Sequence, residues 1–265
     1  MKTIKEHKIK IALVQMRASD DKSKNLERAQ GFVEAAVEKG ARCVLLPEAF
    51  SFRGKGPYGR VAENMNGETV RRFSGTARRL GISVLLGSVY ERVPGRRKVY
   101  NTSVFLGPDG KVLGKYRKRH LFQACLAGTE VHEGLYFLSG RRNCVISTGP
   151  FLAGCAICYD LRFPESFCFY KKRDCDMIMA PSNFTYETGA AHWEVLLRAR
   201  AVENRCYVLA PNQCGTDSAG MRSYGNSMVV DPWGKVVARA ATAKEDMVFA
   251  VIEEEKIRKA RQRLP

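Results

Sequence analysis

Strand and helix patterns that alternate along 265 residues predict an α/β protein, a layered sandwich of sheets and helices. Three observations carry this. The N-terminal third alternates β-rich apolar runs with segments of helical periodicity, the C-terminal third is mostly β-rich runs joined by tight turns, and no linker, repeat or low-complexity stretch interrupts either. Residues 1–265 therefore read as one domain with a substantial core, and 45% hydrophobic with 27% charged residues is the make-up of an ordinary globular chain.

The elements follow in order. KIALVQM (10–16) is a β-rich run, and Leu26, Ala29, Val33, Ala36 and Val37 then recur at helical spacing until Gly40 closes the helix. CVLLP (43–47) is a second strand, and after a Gly-rich loop Val70, Phe73, Ala77 and Leu80 form one face of a helix stopped by Gly81. Ile82 to Tyr90 and Val99 to Leu106 read as strands, and Gly107-Pro-Asp-Gly110 turns the second into Lys111–Tyr116. A polar, less regular stretch spans about 123–143. The strand Phe151–Cys158 leads to a helix opened near Pro164, and Met177–Ala180 leads towards the helix of HWEVLLRARAVEN (192–204). CYVLAPN (206–212), a hairpin over 227–240 turning at Pro232-Trp233-Gly234, and MVFAVI (247–252) complete the β-rich end before a basic tail.

The formal net charge is +17, from 44 Lys and Arg against 27 Asp and Glu, which raises nucleic acid, a membrane surface or an anionic substrate as partners. The basic residues occur as short clusters scattered over many elements, with no long tract, so a solvated basic surface is favoured over nucleic acid. No run approaches 18 apolar residues, and no signal peptide is evident, since Ile9 to Met16 reads as a strand. An odd count of nine cysteines points to reduced thiols in a cytoplasmic protein, a setting in which the sequons at Asn101 and Asn183 carry no weight.

Several local patterns compete as sites. Gly54-Lys-Gly56-Pro-Tyr-Gly59 matches a dinucleotide loop, but Pro57 removes a donor and no helix begins after Gly59; a loop near a site is the better reading. No Walker A sequence or G-x-S-x-G elbow occurs. Cys155-Ala-Ile-Cys158 lacks a second half to complete a metal set, and residues three apart on a strand face opposite ways, which makes Cys155 a core residue. Cys158 ends an apolar strand where the chain turns towards a helix, a position where the next N–H can face a developing oxyanion. A thiol there needs a base or cation nearby. His120, His132 and His192 are candidates in principle, with His192 better read as structural. Glu48 follows an apolar strand directly, either solvated or presented into a cleft, and Lys118 lies in a basic cluster that by itself reads as a solvated face.

Together LLPEAF (45–50), YRKRHLF (116–122) and GCAICYDLRFPE (154–165) resemble the nitrilase superfamily of carbon–nitrogen hydrolases, whose Glu, Lys and Cys lie in separated blocks in that order. The resemblance implies Glu48 as general base, Lys118 as oxyanion-stabilising cation and Cys158 as nucleophile, with the N–H of Tyr159 as second oxyanion donor. It also implies a supporting glutamate, Glu133, seven residues before Gly140, although Ser139 stands where proline is usual. TGAAHWEVLLRARAVEN (188–204) and SYGNSMVVDPWG (223–234) look like the Nit-type amidase branch, and Tyr159-Asp160 after the cysteine resembles amidases rather than true nitrilases. By resemblance the fold is a four-layer α-β-β-α sandwich, commonly a homodimer. The activity is hydrolysis of a small anionic amide through a thioester, with deaminated glutathione first and an ω-amidase acting on α-ketoglutaramate second, and with no metal or organic cofactor. Phe50, Asn183 and Phe184 are the expected pocket residues. Two rivals from other classes are a catalytically silent protein of this fold and a basic nucleic-acid binder.

Overall fold

A computed structural model describes residues 7–126, 129–242 and 244–264. The first half runs β1 (Lys8–Gln15), α1 (Lys22–Glu38), β2 (Cys43–Leu45), α2 (Glu68–Leu80), β3 (Ser83–Glu91), β4 (Tyr100–Leu106), β5 (Val112–Arg117), β6 (Gln123–Leu126) and β7 (Thr129–His132). The second half runs β8 (Val145–Ser147), β9 (Leu152–Cys155), α3 (Pro164–Lys171), β10 (Met177–Met179), α4 (Tyr186–Asn204), β11 (Tyr207–Ala210), β12 (Cys214–Thr216) and β13 (Arg222–Tyr224). It ends with β14 (Met228–Val230), β15 (Val236–Arg239), β16 (Asp246–Glu253) and α5 (Glu254–Arg263).

Two six-stranded sheets, ordered β16-β1-β2-β3-β4-β5 and β15-β14-β11-β10-β9-β8, form the inner layers. Each has three parallel strands at its centre, β1-β2-β3 and β9-β10-β11, flanked by antiparallel neighbours. Strand periodicity assigns the faces. Ile11 and Leu13 of β1 join the core between the sheets, whereas Ala12 and Val14 pack with Leu26, Val33, Val70 and Phe73 of α1 and α2. On the other side Trp193, Leu197 and Ala201 of α4 and Phe167 of α3 cover the second sheet. The order is helices, sheet, sheet, helices, the expected four-layer α-β-β-α sandwich. No helix among the described residues is long and apolar enough to cross a membrane.

Four local expectations are corrected. Helix α4 starts at Tyr186, six residues before the periodic signal, because Gly189 packs directly on Tyr224 and tertiary contact outweighs the poor helix propensity of glycine. The irregular stretch contains the hairpin β6–β7, with Gln123 opposite His132, and β8 follows it. The basic tail is helix α5, which buries Ile257 and Ala260 one turn apart. The strand before Cys158 leaves the ladder at Cys155, so the last three residues already belong to the turn.

Candidate active site

The sheet directions decide what can meet. β5 is antiparallel to β4, and β4 to β3, so β5 runs the same way as β2 and both end at one edge of the sheet. Glu48 lies just beyond β2 and Lys118 just beyond β5. Cys158 lies beyond β9, and Asn183 beyond the parallel β10. Carboxyl ends of parallel strands are the usual place for a site in such sheets.

Glu48 is buried and held at both ends. Gln213 Nε2 donates to its main-chain oxygen at 2.9 Å, and Lys118 Nζ and Asn101 Nδ2 donate to Oε1 at 2.9 and 2.8 Å. Ala49, next in the chain, has φ +56°, so the strand alternation breaks immediately after the carboxylate. Gly87 on β3 permits this turn: a Cβ there would lie 2.0 Å from the Leu46 carbonyl oxygen.

Lys118 is 1% exposed and shares the inward face of its strand with Tyr116, two residues earlier. Its ammonium bridges Glu48 and Glu133, the latter at 2.8 Å. Burial disfavours the charged amine, but the carboxylates of Glu133 and Glu48 hold its pKa well above the usual lysine value. Glu133 sits in a short turn after β7, its Oε2 accepting the Phe122 N–H at 2.7 Å. Burial raises the Glu133 pKa; Lys118 opposes this and the charge on Glu48 adds to it.

Cys158 has φ +48°, a left-handed conformation uncommon for a residue with a side chain, and its N–H donates to the Pro181 carbonyl at 3.1 Å. Burial pushes the thiol well above its ordinary range, Glu48 pushes the same way, and Lys118 pulls it back. The turn is pinned by Asp160. Its Oδ2 accepts from Ile157 N at 2.9 Å and Tyr116 Oη at 2.8 Å, and its Oδ1 lies 2.9 Å from His120 N and 2.7 Å from His120 Nδ1. One buried carboxylate thus ties the cysteine turn to the segment carrying Lys118. His120 stacks on Phe163 at 3.8 Å, and His192 contacts Arg162 at 3.2 Å. Both belong to the scaffold around the site.

Glu48, Glu133 and Cys158 line one cavity of about 460 Å³, together with Asn101, Tyr159, Asn183 and Phe184. Phe50 does not line it. That residue is fully buried in the outer layer, edge-on to Phe73 of α2 at 5.5 Å, because the left-handed Ala49 turns the chain away; the pocket assignment is corrected. The Gly-rich loop does reach the cavity, through Gly54, Lys55 and Gly56. Cys155 is buried in the core between the sheets and takes no part. Sequence reading missed Asn101, Asp160 and Arg162. The guanidinium of Arg162 lies over the rings of Tyr159 and Phe184, and no carboxylate pairs with it among the described residues. Nor is any group of three or more His, Cys, Asp and Glu among them placed to hold a metal ion.

The carbon-nitrogen hydrolase family model matches residues 10–262. The chain belongs to the carbon-nitrogen hydrolase family. It is 38% identical to the human omega-amidase NIT2 over 262 residues, covering 97% of this chain and 92% of that protein. The mouse deaminated glutathione amidase is also 38% identical, over 96% of this chain and 81% of its own. Among solved structures, Saccharomyces cerevisiae Nit3, a member of branch 10 of the nitrilase superfamily, superposes with a TM-score of 0.88 at 35% identity, covering 97% of this chain and 94% of that one. The expectation of an enzyme acting on carbon–nitrogen bonds accords with this membership, and the three blocks that carried the resemblance are those that carry Glu48, Lys118 and Cys158 of the candidate site.

Proposed function

We propose that the protein is a cysteine-dependent amidase that cleaves a small anionic carboxamide and releases ammonia. The observation that carries this is the convergence of three distant blocks: Glu48 and Cys158 line one cavity, and the buried Lys118 ammonium bonds Glu48 directly behind it. The Cys158 thiol gives its proton to Glu48 as sulfur bonds to the amide carbon. The oxyanion is met by the Lys118 ammonium and the Tyr159 N–H. Collapse of the tetrahedral adduct breaks the C–N bond, and the proton on Glu48 leaves with ammonia. A thioester on Cys158 remains. Glu48 then takes a proton from water, the hydroxide adds to the thioester, and the carboxylate product departs as Cys158 is reprotonated. Glu133 keeps the Lys118 ammonium in place through its 2.8 Å contact.

The substrate class is supported by charge. Arg53, also at the cavity, is occupied by Met221, Ser223 and Asp217, whereas Arg162 and the Lys55 side chain line the cavity without a carboxylate partner among the described residues. A volume of about 460 Å³ accommodates an amide as large as deaminated glutathione as well as the five-carbon α-ketoglutaramate. Asn183 and Phe184 contact the acyl chain in this reading. The test compares specificity constants for deaminated glutathione, α-ketoglutaramate, N-carbamoylputrescine and a simple aliphatic nitrile. Deaminated glutathione is expected to lead; preference for the nitrile or the cationic carbamoyl compound would refute the assignment, and preference for α-ketoglutaramate would make the protein an ω-amidase with the same mechanism.

A homodimer is supported by exposed apolar side chains on one face, Val195 and Val202 of α4 beside Trp233 of the β14–β15 turn. Sedimentation velocity on wild type and Val195→Glu tests it, a monomeric wild type being the contrary result. Nine free cysteines fit a reducing, cytoplasmic setting.

A further inference from the structure

We propose that Asn101 is a positioning residue that fixes which oxygen of Glu48 serves as the base. This rests on Glu48 being the base. Asn101 is the second residue of β4, 3% exposed, and it grips both neighbouring catalytic segments. Its main-chain oxygen accepts the Lys118 N–H at 2.8 Å, and its Nδ2 donates to Glu48 Oε1 at 2.8 Å. Lys118 Nζ donates to that same oxygen at 2.9 Å.

Glu48 Oε1 is therefore occupied by two donors, one of them charged, while no described donor reaches Oε2. A carboxylate oxygen that accepts two hydrogen bonds is the poorer proton acceptor of the pair. The thiol proton of Cys158 goes to Oε2, and the same Oε2–H later delivers it to the departing nitrogen. Lys118 alone does not define this choice, because an ammonium donates equally well to either oxygen of a carboxylate. The Asn101 amide is fixed: its Oδ1 has no described partner, and reversing the amide would set that oxygen against Oε1, acceptor to acceptor. The residue also sits in a sequon yet is buried, so its side chain serves the interior rather than the surface.

The test uses the full chain with Asn101→Leu, which keeps shape and removes the donor, Asn101→Ala, and Glu48→Gln in parallel. The measurements are kcat and KM for deaminated glutathione and α-ketoglutaramate, the rate of Cys158 alkylation by iodoacetamide, which reads loss of the thiol proton without the substrate, and the melting temperature. For Asn101→Leu, kcat falls on the order of a hundredfold with KM within about threefold, as expected for a misplaced catalytic group. Alkylation slows in the same variant, and the fold is retained. Wild-type kcat and alkylation in Asn101→Leu, with Glu48→Gln inactive, would overturn the inference while leaving Glu48 as base. Near-normal turnover by Glu48→Gln would overturn both. Failure of both Asn101 variants to fold would overturn it as well, by making the amide a purely structural group.

Discussion

Replacing Asp160 by alanine tests how the cysteine turn is held. The side chain is fully buried and accepts from Tyr116, Ile157, the His120 N–H and the His120 ring. Four hydrogen bonds to a charged acceptor, at roughly 1.5 kcal/mol each at the low end, amount to about 6 kcal/mol. Relief from burying a carboxylate returns part of this, leaving a net loss of about 4 kcal/mol. For a chain of this size that corresponds to a fall of roughly 8–16 °C in melting temperature. Activity should fall further than stability, because the Ile157 bond lies next to Cys158 and the His120 bonds lie two residues from Lys118. The assay is a melting curve by circular dichroism with kcat measured well below the transition. Tyr116→Phe, which deletes one of the four bonds, should lose only about 1 kcal/mol. A melting temperature within about 2 °C of wild type and kcat within about twofold for Asp160→Ala would mean that Asp160 does not hold the cysteine turn.

Lys118→Arg and Glu48→Gln should each lose on the order of a hundredfold or more in kcat, since a planar fork does not replace a point charge between two carboxylates and an amide cannot shuttle a proton; steady-state ammonia release checks both. Phe50→Leu should lower the melting temperature and leave KM unchanged, because the ring packs on Phe73 and not in the cavity; a raised KM would restore it to the pocket. Stability should fall steeply above about pH 8.5, where an unfolded thiol ionises. Burial holds Cys43 up to about 12 and raises Cys206; hydrogen bonding from Cys144 and burial raise Cys155. The folded state therefore keeps protons that the unfolded state releases, and each such thiol removes about 1.4 kcal/mol per pH unit until it ionises in the fold. Urea unfolding at pH 8 and pH 10 measures this; equal stability at the two would contradict it.

The elements with strong periodicity were legible because their signal is local: β1, α1, β2 and α2 each show the face that is buried. Helix α5 and the hairpin β6–β7 were not, since the first buries two residues in a basic segment and the second consists of two four-residue strands without a regular apolar alternation. The position of Cys158, in the turn after a strand, was readable, and its role as nucleophile is the proposal built on it. Lys118 was hidden in a basic cluster, although Tyr116 and Lys118 are spaced to share one strand face while Arg117 turns outward, and that alternation was available. Phe50 misled for the opposite reason: adjacency to Glu48 suggested the cavity, but the left-handed Ala49 redirects the chain. Asn101 and Asp160 could not be read locally, because their roles lie in partners 53 and 44 residues away.

In the proposed mechanism Cys158 carries the acyl group. Acid quenching of wild type during turnover of deaminated glutathione, followed by intact mass and peptide mapping, should place an acyl adduct on the peptide containing Cys158 and specifically on that sulfur. Cys158→Ala should fold, carry no adduct and release no ammonia. An adduct on Cys155 or on any other residue, or ammonia release by Cys158→Ala at the wild-type rate, would contradict the mechanism.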